Sequence, residues 1–136
     1  MPGQPLLMLR RVQPEHVDHI LNMRRYQVLM ESEFPTEAGV MLTNLDHGGD
    51  PWGAGARQRT TWIGEMDFDV RVFGADGEDR IPDDVEYLFW VGCTGAMMER
   101  NIKVTQAIVK VLQAGRVDFA ILGPEEVCTG DPARRL

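Results

Sequence analysis

The sequence predicts an α/β fold, with a helical N-terminal half followed by a C-terminal βαβ unit whose two strands are parallel. Two continuously apolar runs, Tyr87 to Val91 and Phe119 to Leu122, are typical of strands that are covered on both faces. Between them, the residues from Ala96 to Ala114 carry apolar side chains at helical spacing. A strand, a helix and a strand in this order form a parallel pair joined by a helical crossover.

The bulk composition narrows the class of protein. A length of 136 residues and a hydrophobic content of 43% are enough for one domain with a core. The net charge of −7 argues against binding nucleic acid through a general basic surface. Two cysteines are too few for a secreted disulfide scaffold, and no apolar run is long enough to span a bilayer. We therefore expect a cytoplasmic segment that does not insert into a membrane.

The N-terminal half predicts two helices in succession. The first runs from Pro14 to about Met30, because proline suits the first helical turn and apolar side chains recur on one face. Phe34-Pro35 ends that helix, and a shorter one begins at Thr36. The turn-forming residues from Asn44 to Gly49 are expected to end the second helix.

Two features of this half could serve a function. His16 and His19 share one helix face and could bind a metal, but no third ligand stands nearby in sequence, so we expect solvated histidines. Trp52 lies in the rigid loop Asp50-Pro51-Trp52-Gly53. It could be a ligand platform, but an aromatic plug between helices and sheet is the expected role. The residues from Arg57 to Trp62 predict one or two further helical turns.

The segment from Gly74 to Asp84 is polar and rich in Gly and Asp, which predicts a linker. It divides a mainly helical segment, residues 1–73, from an α/β segment, residues 85–136. Val70 to Phe73 alternates like a short edge strand. Gly115 is the expected C-cap of the crossover helix, and Asp131-Pro132 predicts the start of a last helix.

The two cysteines follow the two predicted strands. Cys93 lies in Gly92-Cys93-Thr94-Gly95, and Cys128 follows the second strand. Because parallel strands end at the same edge of a sheet, we expect the two cysteines to be neighbours in space. Three chemistries fit such a pair: ligation of a metal or cluster, thiol–disulfide exchange, and nucleophilic catalysis by Cys93 at a helix N-terminus. Two buried structural cysteines are the fourth interpretation.

These residues resemble a known family. The runs from Glu86 to Cys93 and from Cys128 to Arg135 resemble the cysteine-rich (CCG) domain of iron–sulfur oxidoreductases. That family includes heterodisulfide reductase subunits and the large iron–sulfur-binding reductases of actinobacteria. The residues from Glu15 to Tyr26 are similar to the segment after the family's ferredoxin-type domain, and Asp50 to Gly53 is similar to its interdomain segment.

The resemblance implies a ligand set. The family pattern is a cysteine, then Cys-Cys-Gly, then Cys-x-x-Cys, and on this pattern Cys93 is the first cysteine and Cys128 the first of the pair. Both are thereby implied to be cofactor-binding ligands of a [4Fe-4S] cluster, with no catalytic residue in the chain. Thr129 stands where the second cysteine of the pair would be, which implies electron transfer and not disulfide cleavage. The final Cys-x-x-Cys has no counterpart in the sequence.

The leading hypothesis is therefore an internal fragment of a heterodisulfide-reductase-like iron–sulfur oxidoreductase that passes electrons through [4Fe-4S] clusters. On this hypothesis residues 1–73 follow a ferredoxin-type domain and residues 85–136 begin the cysteine-rich domain. The chain alone is expected to hold no stable cluster and not to be a competent enzyme. The implied partners are ferredoxin-type or flavin-containing redox subunits, with membrane association of the parent on the cytoplasmic side left open. The alternative is a non-enzymatic remnant or interaction domain with structural cysteines.

Overall fold

The computed structural model describes residues 16–74 and 80–136. Pro14, Glu15 and residues 75–79 of the predicted linker lie outside the described residues. Five α-helices and two strands make up most of the regular structure that is described: α1 (His16–Met30), α2 (Thr36–Gly48), β1 (Tyr87–Phe89), α3 (Gly92–Met97), α4 (Glu99–Ala114), β2 (Phe119–Ile121) and α5 (Asp131–Arg134). Two 3₁₀ segments complete it, Ala56–Glu65 and Gly123–Glu125. None of the described helices has the length and hydropathy needed to span a membrane.

The predicted βαβ unit is present. β1 and β2 are parallel, with Tyr87 opposite Phe119 and Phe89 opposite Ile121. Helix α4 lies between the two strands in sequence, so the α/β class predicted from the apolar runs is confirmed. The predicted edge strand from Val70 to Phe73 is reduced to one parallel bridge between Val72 and Ile121.

The core lies between the first 3₁₀ segment, α4 and the sheet. Its buried members are Trp62, Val70, Val109 and Ile121. The indole Nε1 of Trp62 donates a hydrogen bond of 2.9 Å to the carbonyl of Arg59, so the ring is buried without losing its polar partner. The 3₁₀ segment is thereby fixed against the α/β part of the chain, which determines where Arg59 lies.

Strand β1 is covered on one face only, whereas the sequence predicted a strand covered on both faces. Phe89 and Val91 pack against the core, whereas Leu88 is 37% exposed and Trp90 46% exposed. Successive side chains of a strand point to opposite faces, so the apolar run hides an ordinary alternation. The continuous apolar run therefore predicted the strand correctly, but its prediction that the outer face is buried was wrong.

The crossover is two helices and not the single helix predicted from Ala96 to Ala114. Met98 adopts an extended conformation, with φ −98° and ψ 116°, and separates α3 from α4. The hydroxyl of Thr105 donates to the carbonyl of Gly95 over 2.9 Å and ties the two helices together. The periodic pattern continues across Met98, which is why the sequence showed no break.

Three further details concern the ends and the apolar face of the helices. Val111 belongs to the apolar pattern of α4 but is 72% exposed, and Val109 is the buried apolar residue. Gly115 is the C-cap of α4, as predicted, with φ −75°; the left-handed conformation falls on the next residue, Arg116, with φ 55°. Helix α2 continues through the predicted turn residues to Gly48, and the left-handed Gly49 donates its N–H to the carbonyl of Leu45.

The loop after α2 is organised by one carboxylate. Asp50 is fully buried and accepts backbone N–H groups from Trp52 at 2.9 Å, Ala54 at 3.1 Å and Gly55 at 2.9 Å. Burial acts to raise the pKa of Asp50, but the N–H groups outweigh it and hold the pKa below the ordinary aspartate value. The Asp50 carboxylate therefore holds the backbone of the predicted loop through three hydrogen bonds.

Replacing Asp50 with Asn should destabilise the fold, because three N–H donors then face an uncharged acceptor. We expect a loss of about 1–3 kcal/mol in the free energy of unfolding at neutral pH. Since the folded-state pKa is lowered, the stabilisation is present above the ordinary aspartate pKa and is lost as pH falls through the folded value. Urea unfolding across acid pH should show the gap to wild type narrowing. The exposed Asp46→Asn is the control, and a gap independent of pH would contradict this account.

Gly123 should not tolerate a side chain. It has φ 54°, and a Cβ there would lie 2.6 Å from Val72 Cγ1 and 3.0 Å from Thr60 Cγ2. Gly123→Ala should therefore destabilise the fold by about 1–3 kcal/mol through crowding, with additional backbone strain. Gly64→Ala is the matched control, because a Cβ there meets nothing within 4 Å. Equal thermal midpoints for the two variants would refute this prediction.

Candidate functional site

The two cysteines meet at one cleft. Cys93 lies in the first turn of α3, directly after β1, and Cys128 follows the second 3₁₀ segment, after β2. Both thiols are free, and both residues line the same cleft. The cleft has a volume of about 590 Å³, and its other lining residues are Met41, Pro51, Trp52, Gly92, Thr94, Thr129, Asp131 and Pro132. The parallel strands thus bring the cysteines together as the sequence predicted.

Cys128 is held by the end of α2. Its backbone N–H donates to the carbonyl of Gly49 over 2.7 Å, and Gly49 is the left-handed residue that terminates the helix. The preceding residue, Val127, lies close to Gly49: a Cβ on the glycine would approach Val127 Cγ1 to 3.2 Å. A glycine at this position therefore allows both the helix end and the close approach of the Cys128 loop.

The buried side chain of Arg59 forms hydrogen bonds that link the two cysteine loops. It is 3% exposed, and its Nη2 donates both to Cys93 Sγ at 3.2 Å and to the Gly49 carbonyl at 3.0 Å. Its Nη1 donates to Glu126 Oε1 at 3.4 Å. Because Gly49 also accepts from Cys128, a single guanidinium contacts Cys93 directly and the Cys128 loop through one shared acceptor.

Glu126 completes the network. It is 2% exposed and, besides Arg59, accepts the backbone N–H groups of Val91 and Gly92. These groups belong to the turn that carries the chain from β1 into α3, where Gly92 has φ 77°. A charged side chain from the second strand-end loop therefore fixes the backbone of the first, next to Cys93.

The electrostatic environment of Cys93 is that of a buried thiol. Burial raises the pKa of Cys93 above its ordinary value; the hydrogen bond from Arg59 lowers it, and the neighbouring Cys128 thiol raises it again. A cysteine activated for nucleophilic attack requires the opposite shift. The raised pKa therefore argues against nucleophilic catalysis by a Cys93 thiolate.

The donor set fits half of a four-thiolate site. Soft thiolates are the ligands of iron–sulfur clusters, and two of them face the same cleft here. Within residues 16–74 and 80–136, no group of three or more His, Cys, Asp or Glu side chains is placed to hold a metal ion. His16 and His19 are exposed on α1, as expected for solvated histidines. Trp52 is 46% exposed and lines the cysteine cleft, so it is not the buried plug that the sequence suggested.

Sequence reasoning did not identify Arg59 or Glu126 as site residues. Arg57 and Arg59 look alike in sequence, yet Arg57 is exposed and Arg59 is buried. The available signal was the position of Glu126, a carboxylate between a buried strand and Cys128, which is an unusual place for an unpaired charge. The partner of that charge lies 67 positions away and could not be deduced from local pattern.

Comparison with known proteins gives three relatives. The chain is 37% identical over 125 residues to a protein of Bacillus subtilis described as the probable iron–sulfur-binding oxidoreductase FadF. It is 36% identical over 124 residues to the EtfAB:quinone oxidoreductase of Syntrophomonas wolfei. It is 38% identical over 122 residues to a probable membrane-anchored ferredoxin of Chromohalobacter salexigens.

These alignments cover 92%, 90% and 90% of the chain but only 18%, 17% and 17% of the respective relatives. The chain therefore spans less than a fifth of the length of the curated relatives it matches. No protein-family model matches the chain. No solved structure matches it either. The chain is homologous to a segment of iron–sulfur oxidoreductases, which confirms the resemblance at that level.

Glu126→Gln should be among the most destabilising single substitutions at this site. It leaves the buried Arg59 charge uncompensated, which typically costs about 3–5 kcal/mol. We expect urea unfolding at neutral pH to show a loss of that order, whereas the exposed neighbour Glu125→Gln should be nearly neutral. The double variant Arg59→Met/Glu126→Gln should recover part of the loss, since no unpaired charge remains buried. Additive losses in the double variant would argue against the pair.

Proposed function

We propose that this chain contributes part of an electron-transfer site in an iron–sulfur oxidoreductase, with Cys93 and Cys128 as two thiolate ligands of a [4Fe-4S] cluster. The observation that carries the proposal is the pair of thiols at one cleft, supplied by two separate strand-end loops. Homology to a segment of iron–sulfur oxidoreductases supports it independently.

The chain's own residues orient the two sulfur atoms. Glu126 fixes the turn before Cys93, and the Gly49 carbonyl fixes the backbone of Cys128. Met41 and Trp52 give the cleft an apolar wall, which limits the access of water to the thiolates. When bound, a [4Fe-4S] cluster supplies one-electron transfer, for which no acid or base among the chain's residues is needed.

The count of ligands distinguishes two kinds of site. Thr129 follows Cys128 where the CCG motif has a second cysteine, so this chain offers two thiolates in total. Four thiolates are usual for an ordinary [4Fe-4S] cluster, and the other two must come from polypeptide outside these 136 residues. The proposal is therefore a heterodisulfide-reductase-like repeat that transfers electrons and does not cleave disulfides.

The proposal extends to organisation and partners. We assign residues 1–73 to the region that follows a ferredoxin-type domain, residues 74–84 to a linker and residues 85–136 to the first part of a cysteine-rich domain. Ferredoxin-type or flavin-containing redox proteins are the proposed partners, on the cytoplasmic side of a membrane. One relative is named as an oxidoreductase of EtfAB and quinone, and another as a membrane-anchored ferredoxin, which supports a redox role of this kind.

A structural role for the cysteines is the second candidate, because Cys93 is only 8% exposed and already accepts a hydrogen bond from Arg59. A purely structural pair predicts that replacing both cysteines with serine lowers stability and that iron is never retained by either form. The cluster proposal predicts retained iron that depends on both sulfur atoms.

The test is anaerobic reconstitution of the chain with ferrous iron, sulfide and excess 2-mercaptoethanol, which can supply two exchangeable thiolates. Wild type should retain about four irons and four sulfides per chain with the broad visible absorption of a cluster. Cys93→Ser and Cys128→Ser should each lose most of that iron, while the matched control Thr129→Ser should retain it. After transfer to thiol-free buffer, wild type should lose its cluster.

Iron that is retained equally by the Cys128→Ser variant would overturn the assignment of ligands. A cluster that survives in thiol-free buffer in a monomer would contradict the half-site, and gel filtration distinguishes that result from ligation shared between two copies. Wild type that retains no iron in the presence of thiol would favour structural cysteines.

A further inference from the structure

One charged group of the network donates directly to a proposed ligand sulfur. We infer that Arg59 is a positioning residue that raises the reduction potential of the site by hydrogen bonding to Cys93 Sγ. This inference rests on the proposed function and goes beyond it, because it assigns control of the electron affinity to a residue that holds no iron itself.

The donor is fixed in place by its other contacts. Arg59 Nη2 lies 3.2 Å from Cys93 Sγ and 3.0 Å from the Gly49 carbonyl, and Nη1 lies 3.4 Å from Glu126. These partners come from three separate segments of the chain, so the guanidinium cannot turn away from the sulfur without breaking contacts elsewhere. With only 3% of its surface exposed, it also has no solvent position to occupy instead.

A hydrogen bond to a ligand sulfur favours the reduced form. Reduction adds negative charge that is shared with the thiolate sulfurs, and an N–H donor of a cation stabilises that charge. Burial weakens screening by water and salt, so the effect of Arg59 on Cys93 should be larger than that of any surface arginine. Glu126 opposes the positive charge, but it uses its oxygens on Arg59 and on the backbone N–H groups of Val91 and Gly92.

Lysine could not reproduce this arrangement. The planar guanidinium uses two nitrogens to contact three partners, whereas an ammonium is a single point on a flexible stem. Arg59→Lys should therefore keep the charge and lose part of the geometry. If the hydrogen bond to Cys93 matters, the reduction potential of the Arg59→Lys variant should fall between those of wild type and Arg59→Met.

The test is a mediated redox titration of the chain reconstituted with iron, sulfide and 2-mercaptoethanol, followed by the paramagnetic signal of the reduced cluster. For Arg59→Met we expect at least a tenfold smaller ratio of reduced to oxidised cluster at a given potential, which is a downward shift of about 59 mV for one electron. Arg57→Met is the matched control, because it removes an exposed arginine from the same 3₁₀ segment. Its potential should equal that of wild type.

A second variant separates the hydrogen bond from the net charge. Arg59→Met/Glu126→Gln removes one positive and one negative charge and so keeps the net charge of wild type. A shift that persists in it, measured against wild type, therefore reports the lost donor to sulfur. It also leaves no unpaired charge buried, which keeps the comparison available if Arg59→Met fails to fold. Equal potentials for the double variant and wild type would overturn the inference.

The outcomes separate this inference from the proposed function. Wild type that retains no iron in the presence of 2-mercaptoethanol would refute the cluster itself. Wild type that loads fully, together with Arg59 variants that load fully and titrate at the potential of Arg57→Met, would leave the cysteine ligands in place and refute only the role of Arg59. Iron content and potential are measured on the same samples, so neither result depends on enzymatic activity.

Discussion

The arrangement of the site depends on a buried ion pair. Arg59 and Glu126 are each almost fully buried, at the point where the first 3₁₀ segment, the β1–α3 turn and the Cys128 loop meet. Charges in such a place are tolerated only when they are paired and hydrogen-bonded, and here both conditions hold. No buried side-chain nitrogen or oxygen among the described residues lacks a partner. The pair therefore acts less as a source of stability than as a constraint on which segments can lie together.

The sequence predicted the parts of the site that follow from local pattern. Apolar runs around Phe89 and Ile121 gave parallel strands, and parallel strands placed Cys93 beside Cys128. Arg59 was beyond such reasoning, because its partners are all distant in sequence and Arg57 shows the same local features. The exposed outer face of β1 was also missed, since hydrophobicity reports what a residue can bury and not whether another element covers it. The interruption at Met98 was hidden by periodicity that continues on both sides.

Relatives and geometry point to the same chemistry from different directions. The relatives are much longer than this chain, and they connect it to iron–sulfur oxidoreductases without indicating which residues matter. The structure supplies two thiols, a guanidinium and a carboxylate around a single cleft, without indicating a cofactor. Together they favour a ligand pair whose surroundings are as specific as the sulfurs themselves. In the proposed site, Arg59 and Glu126 would hold no metal themselves but would influence the position and the electrostatics of the two cysteines that do.

The carbonyl of Gly49 accepts from Arg59 and from Cys128, and it is also the last carbonyl of the turn that ends α2. Both lone pairs of this oxygen are thus used, one by Arg59, which also contacts Cys93, and one by the backbone N–H of Cys128. The C-terminal end of helix α2 is therefore linked both to the guanidinium that contacts Cys93 and to the backbone of Cys128. A helix that contributes no sulfur of its own thus supplies one of the contacts that hold both cysteine loops in place.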